Sequence, residues 1–227
     1  MSATYDSGVS NEARLAWDGL DPGGPSEVHF VLRPQRTRIA VLVGAFDPPT
    51  NAHLAIVDAA ARADGASGVL LLTKTLLARP PDELLPVTKR LDVLRSIAEA
   101  DDLGLAIANR GTYVDVAEAL RLSGWEASFV IGSDKLVQLE DPSFYADGER
   151  GVARTFEEVR FLVVPRPDRT AGRPGLRWLE VDAVFNKASQ RALSATEVRR
   201  RVRRGESVED LVPPAVVLAL GGYTRPR

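Results

Sequence analysis

The chain has 227 residues, is 44% hydrophobic and 26% charged, and carries a net charge of −2, which suits one generous soluble domain or a domain with appendages. The acidic balance disfavours a general binder of nucleic acid or anionic membrane. The absence of cysteine removes disulfides, thiolate zinc sites and cysteine nucleophiles, and two histidines do not make a multi-histidine metal site.

No apolar run reaches the roughly 20 residues of a membrane helix. The opening "MSATYDSGVSNEAR" lacks the basic and apolar regions of a secretory signal. A cytoplasmic protein without membrane contact is therefore expected.

Residues 1 to 37 are polar and rich in glycine, proline and serine, with one short apolar piece, Val28 to Leu32. They read as an N-terminal extension, partly ordered at most. From Thr37 a rhythm begins. "RIAVLV" is a buried strand, and "NAHLAIVDAAARADG" has helical spacing and ends at Gly65. "SGVLLLT" is a second strand. After a loop with Pro80, Pro81 and Pro86 comes the amphipathic helix "TKRLDVLRSIAEAD", whose Lys89 and Arg90 are expected to face solvent. "LGLAIAN" is a third strand and "TYVDVAEALRLSG" a helix closed by Gly124. "ASFVIG", "VRFLVVPR" and "LRWLEV" complete six strands, with Trp125 and Trp178 packing against the sheet. "SATEVRRRVRRG", "SVEDLV" and "PPAVVLALGGY" read as helices.

Alternating strands and helices imply right-handed βαβ units. The expected fold is α/β: a Rossmann-like, doubly wound, mainly parallel sheet of about five or six strands with a small C-terminal helical part. The domain spans 38–222, including C-terminal helices from about 194. Ligands in such sheets bind beyond the carboxyl ends of the strands, here the loops after Val43, Ile131 and Val164.

In "GAFDPPTNAH", Gly44 follows its strand directly and permits close approach. Pro48 and Pro49 stiffen the path to a helix that Thr50 caps and Asn51 or Ala52 begins. His53 falls in the first turn. Free amides at a helix start attract anions, and an exposed histidine on an ordinary turn fits the spacing equally well. Asp47 is expected to hold the loop rather than a metal. In "LSATEVR", Ser194 and Glu197 form a capping box, and "RRRVRR" reads as a solvated basic face.

These segments resemble the nucleotidylyltransferase superfamily. "GAFDPPTNAH" is similar to its signature G-x-F-D-P-x-[H/T]-x-G-H, with Ala52 at the usual second glycine, and "LSATEVR" to I-S-S-T-x-[I/V]-R. "FVIGSDKL", "FLVVPRP" and "TYVDVAEAL" resemble stretches of the nicotinate and nicotinamide mononucleotide adenylyltransferases, with Val114 at the usual second threonine. The tryptophan usual after "GSDKL" is absent.

The resemblance implies transfer of AMP from ATP to the 5′-phosphate of nicotinate or nicotinamide mononucleotide, giving an NAD-type dinucleotide and pyrophosphate. His53 and Arg199 would be catalytic. ATP would meet Gly44, Ala45, Phe46, Thr50, His53, Gly132, Asp134, Arg166, Ser194, Thr196 and Arg199. Lys74, Thr112, Tyr113, Phe144 and Tyr145 would meet the acceptor. Mg2+ would come with ATP, without a protein metal site. Partners would be ATP and a mononucleotide, with no nucleic acid; a homo-oligomer is left open. The alternatives are a phosphopantetheine adenylyltransferase or cytidylyltransferase type, or a non-catalytic nucleotide-binding relative.

Overall fold

The computed structural model describes residues 8–75, 83–165, 175–180, 184–185 and 194–221. Its elements run α1 (Gly8–Gly19), β1 (Val28–Leu32), β2 (Arg38–Gly44), α2 (Asn51–Asp64), β3 (Ser67–Thr73), α3 (Val87–Ala100), β4 (Gly104–Ala108) and α4 (Tyr113–Leu122). They continue with β5 (Glu126–Gly132), α5 (Ser133–Leu139), a 3-10 turn at Pro142–Phe144, α6 (Glu149–Glu158), β6 (Phe161–Val164), β7 (Arg177–Trp178), α7 (Ala195–Arg203) and α8 (Pro214–Leu220).

The strands form one sheet of order β1-β4-β3-β2-β5-β6-β7. All neighbours are parallel except β1, which runs antiparallel to β4. Alternation along the central strands supplies two cores. Ala40, Leu42, Leu70, Leu72 and Ile107 face α2 and α3, with Trp17, Val198 and Val216 from α1, α7 and α8 in the same cluster. Ile39, Val41, Leu71, Phe129 and Ile131 face Val116 and Leu120 of α4 and Leu136 of α5. Helices on both faces explain why the strands read as unbroken apolar runs.

Three features depart from the sequence reading. The N-terminal segment is more than an appendage among its described residues. Ala13, Trp17 and Leu20 recur at helical spacing and are buried, and β1 adds a seventh strand whose Phe30 meets Trp125 at 4.6 Å between ring centroids. "SVEDLV" is a turn and not a helix: Leu211 and Val212 donate to the Val208 carbonyl, one turn that Pro213 stops from continuing. Arg90, expected in solvent, is buried.

After β2 the chain moves outward to β3 and β4, then returns to the other side of β2 as β5. The strand order therefore reverses between β2 and β5, and the crevice at their carboxyl ends is where an α/β sheet binds ligands.

Candidate active site

A cavity of about 250 Å³ opens at that point. Gly44 and Ala45 wall it from the end of β2, His53 and Ile56 from α2, and Thr73 from β3. Gly132, Asp134 and Lys135 close it from the start of α5, with Gly111 and Tyr113 from the loop after β4.

The loop Gly44–Asp47 is built by local chemistry. Phe46 takes φ 48°, an uncommon value for a residue with a side chain. Its ring lies over Gly44, where a Cβ would come within 3.2 Å of it, and meets the His53 ring edge-on at 5.4 Å. That close approach is what the glycine permits. Asp47 is 1% exposed, and its two carboxylate oxygens accept the amides of Leu84 and Leu85 at 2.7 Å each. It holds the approach to α3, as the sequence suggests.

Thr50 caps α2, its hydroxyl accepting the His53 amide. The His53 Nδ1 accepts the Thr50 amide at 3.0 Å. A nitrogen that accepts carries no proton, so the neutral imidazole bears its hydrogen on Nε2. Two further amides of this helix start are committed: Asn51 donates to the Leu211 carbonyl at 2.9 Å and Leu54 to that of Thr50 at 3.4 Å. The helix start thus offers fewer free amides than its sequence suggests.

The second signature segment stands beside the first. Ser194 caps α7 by accepting the Glu197 amide. Glu197 turns away from the expected capping box toward Arg200 and Arg201, and these two guanidiniums hold its carboxyl down to about 2. The basic run is thereby partly neutralised within its own helix. Arg199 Nη2 donates to Thr196 Oγ1 at 3.0 Å and Nη1 to the Asp47 carbonyl at 2.7 Å.

The remaining expected residues divide. Tyr113 lines the cavity, where burial, and then the nearby Asp134 carboxylate, push its phenol well above the usual range. Thr112 does not line it; it caps α4 and donates to Asp115 at 2.6 Å. Lys74 points elsewhere: its ammonium donates to the Leu20 carbonyl at 2.7 Å and stands 6.0 Å from the centre of the Trp17 ring. A cation completes the C-terminal end of α1 in this way, and Lys74 is not among the residues lining the cavity. Phe144 and Tyr145 do not line the cavity, and the Tyr145 hydroxyl donates to the Leu139 carbonyl at 2.9 Å. Arg166 lies outside the described residues.

Sequence reasoning passed over Lys135, Gln138 and Gly111, which line the cavity, and misplaced Arg90. Arg90 is 3% exposed and donates to the Ala45 carbonyl at 2.9 Å and to Glu83 at 3.0 Å. Its position four and seven residues before the buried Leu94 and Ile97 was the available signal.

A mainly parallel sheet whose switch point carries a glycine turn and a capped helix start after β2, and a glycine at the end of β5, is the layout of a nucleotide-binding α/β protein. The chain belongs to the cytidylyltransferase-like family, whose model matches residues 41–201. It is 29% identical over 188 residues to a probable nicotinate-nucleotide adenylyltransferase of Salinibacter ruber, covering 78% of this chain and 92% of that one. It is 25% identical over 186 residues to one of the same name from Coprothermobacter proteolyticus, covering 79% and 90%. Among solved structures it is similar to Plasmodium falciparum nicotinic acid mononucleotide adenylyltransferase complexed with NaAD, with a TM-score of 0.58, 15% identity and coverage of 83% and 96%.

Proposed function

We propose that this chain transfers an adenylyl group from ATP to the 5′-phosphate of nicotinate mononucleotide, forming a dinucleotide and releasing pyrophosphate. The observation that carries the reading is the bond from Arg199 to the Asp47 carbonyl. It joins the second signature segment to the first, whose Gly44, Ala45 and His53 wall the switch-point cavity. The names of the relatives favour nicotinate over nicotinamide.

The mononucleotide phosphate is already ionised near neutral pH. One of its oxygens attacks the α-phosphorus in line, the bond to the bridging oxygen breaks, and that oxygen leaves with pyrophosphate. No protein nucleophile and no strong base are needed, so catalysis is positioning and charge stabilisation. Gly44 and Ala45 wall the cavity where the phosphate chain would lie, and His53 Nε2–H donates to an oxygen whose charge grows. Arg199 sets its fixed cation against the leaving phosphates from α7. Gly132 admits the nucleoside, and Asp134 accepts from a ribose hydroxyl.

Magnesium carried with ATP supplies further neutralisation of the phosphates. Among the described residues no group of three or more His, Asp or Glu side chains is placed to hold a metal, and Asp47 is occupied by Leu84 and Leu85. The ion would be held by the phosphates and water. The reading also makes the protein a cytoplasmic enzyme.

The test is pyrophosphate release with ATP and magnesium, run in parallel with nicotinate mononucleotide, nicotinamide mononucleotide and phosphopantetheine, with products weighed by mass spectrometry. A dinucleotide formed fastest from nicotinate mononucleotide is expected. Turnover with phosphopantetheine alone, or ATP binding without turnover of any acceptor, overturns the assignment.

A further inference from the structure

We infer that Arg90 is a positioning residue for the phosphate-binding loop: by gripping the Ala45 carbonyl it aims the Phe46 amide at the phosphates. The inference rests on the adenylyltransferase reading for its substrate and on the following geometry for its substance.

Arg90 sits in the first turn of α3, beneath the loop Gly44–Asp47. Burying a guanidinium is costly unless its donors are used. Here Nη1 meets the Ala45 carbonyl at 2.9 Å and Nη2 meets Glu83 at 3.0 Å. Nε is buried and has no hydrogen-bond partner among the described residues. The side chain is 3% exposed, whereas its carboxylate partner is 42% exposed. A cation is therefore held under the loop with incomplete compensation from the described residues, an arrangement that serves an anion above it better than it serves stability.

The grip has a directional consequence. A trans peptide is planar, with its carbonyl and its N–H pointing in opposite directions. The Ala45 carbonyl and the Phe46 N–H share one peptide. Fixing the carbonyl toward Arg90 turns the N–H the opposite way, and the neighbouring Gly44 and Ala45 wall the cavity with His53. Phe46 also holds φ 48°, a conformation that surrounding contacts must maintain. An amide fixed in advance loses nothing to reorganisation when charge develops on the phosphate, which is where such donors act most strongly.

Arg90→Lys keeps the charge and loses the fork that joins Ala45 to Glu83. The measurement is affinity for ATP and for adenosine by calorimetry, beside kinetics with nicotinate mononucleotide. A fall of about tenfold or more in ATP affinity and in kcat/KM for ATP is expected, with adenosine affinity and the KM of the acceptor within twofold of wild type. Wild-type affinity and kcat/KM for ATP in a folded Arg90→Lys protein overturns the inference. A second measurement needs no variant. In the 15N-labelled wild-type protein the Phe46 amide resonance should move on titration with ATP and stay still with adenosine; a Phe46 amide indifferent to bound ATP also overturns it. Neither binding measurement depends on the acceptor, so failure of the nicotinate assignment leaves both results interpretable.

Discussion

Arg199 donates to the main-chain carbonyl of Asp47 across 152 positions of sequence. Arg90 holds the carbonyl of Ala45 in the same loop. Two arginines from two helices thus grip alternate peptides of the loop Gly44–Asp47; the first carries the Phe46 N–H, and the second joins Asp47 to Pro48, which has none. The bond from Arg199 is charge-assisted and partly buried. Arg199→Ala should cost about 1–2 kcal/mol of stability, read as a lower denaturation midpoint. Arg199→Lys should recover part of that stability and little of the turnover, since a point charge cannot serve Asp47 and Thr196 together.

His53 is fixed by its own helix cap, with Nδ1 accepting the Thr50 amide. The Nε2 proton that this enforces is the donor the proposed reaction uses. His53→Ala should lower kcat by an amount equivalent to roughly 2.7–4 kcal/mol, the scale of one lost oxyanion donor. His53→Asn offers a test of donor geometry, because its amide reaches less far than the imidazole. Steady-state kinetics on the folded variants checks both, and turnover near wild type in His53→Ala removes the proposed role.

Gly111 and Gly65 separate two reasons for a glycine. At Gly111 a Cβ would lie 1.9 Å from the Thr75 carbonyl oxygen, with backbone on both sides of the clash. At Gly65 nothing lies within 4 Å, and the requirement is φ 60° at the end of α2. Gly65→Ala should cost about 1–2 kcal/mol and leave turnover intact. Gly111→Ala forces backbone to move at the cavity wall, so it should cost about 1–3 kcal/mol and also raise KM. Parallel melts and kinetics distinguish the pair.

Tyr113 gives a signed pH prediction. Burial first, then the Asp134 carboxylate, raise its phenol above the ordinary value of 10.0. A group whose folded value is raised contributes stability that is fully present below its unfolded value and is lost as pH climbs past it. Tyr113 should therefore be neutral throughout the working range and promote alkaline unfolding above about pH 10. Tyr113→Phe should flatten the fall in melting temperature above about pH 10. An unchanged alkaline slope would show that another group drives it.

The central fold was legible because parallel strands covered on both faces are continuous apolar runs, and Val41 to Leu42 or Leu70 to Leu72 offer nothing else. The cap at Thr50 and the glycine turn at Gly44 were legible for the same local reason: each is a short-range rule about one residue and its neighbours. The surroundings of Arg90 and Lys74 were not legible because a charged residue's contacts depend on what the chain brings to it from elsewhere. For Arg90 that is Ala45, and for Lys74 it is Leu20. The N-terminal segment was underestimated because its Gly23, Gly24 and Pro25 hide the spacing of Ala13, Trp17 and Leu20.

The connection from α1 to β1 supplies the last prediction. Asn109 is 0% exposed at the end of β4. Its side-chain amide donates to the carbonyls of Asp21 and Pro25 at 2.7 Å each, and its carbonyl accepts the Glu27 amide at 2.9 Å. Arg110 adds a bond to the Gly24 carbonyl at 2.8 Å. One buried side chain therefore satisfies three backbone groups of a segment that precedes the family match at residue 41. Asn109→Leu leaves the Pro25 carbonyl and the Glu27 amide without these partners, while the Asp21 carbonyl keeps the Gly24 amide, at about 1–3 kcal/mol for each group that water does not reach. Asn109→Asp keeps an acceptor for Glu27 and places a carboxylate against two carbonyls, so it should be no better. Both variants should melt well below wild type and lose protection from hydrogen exchange first at Glu27. Retention of Glu27 protection in Asn109→Leu would mean that the antiparallel pairing of β1 with β4 holds this segment by itself.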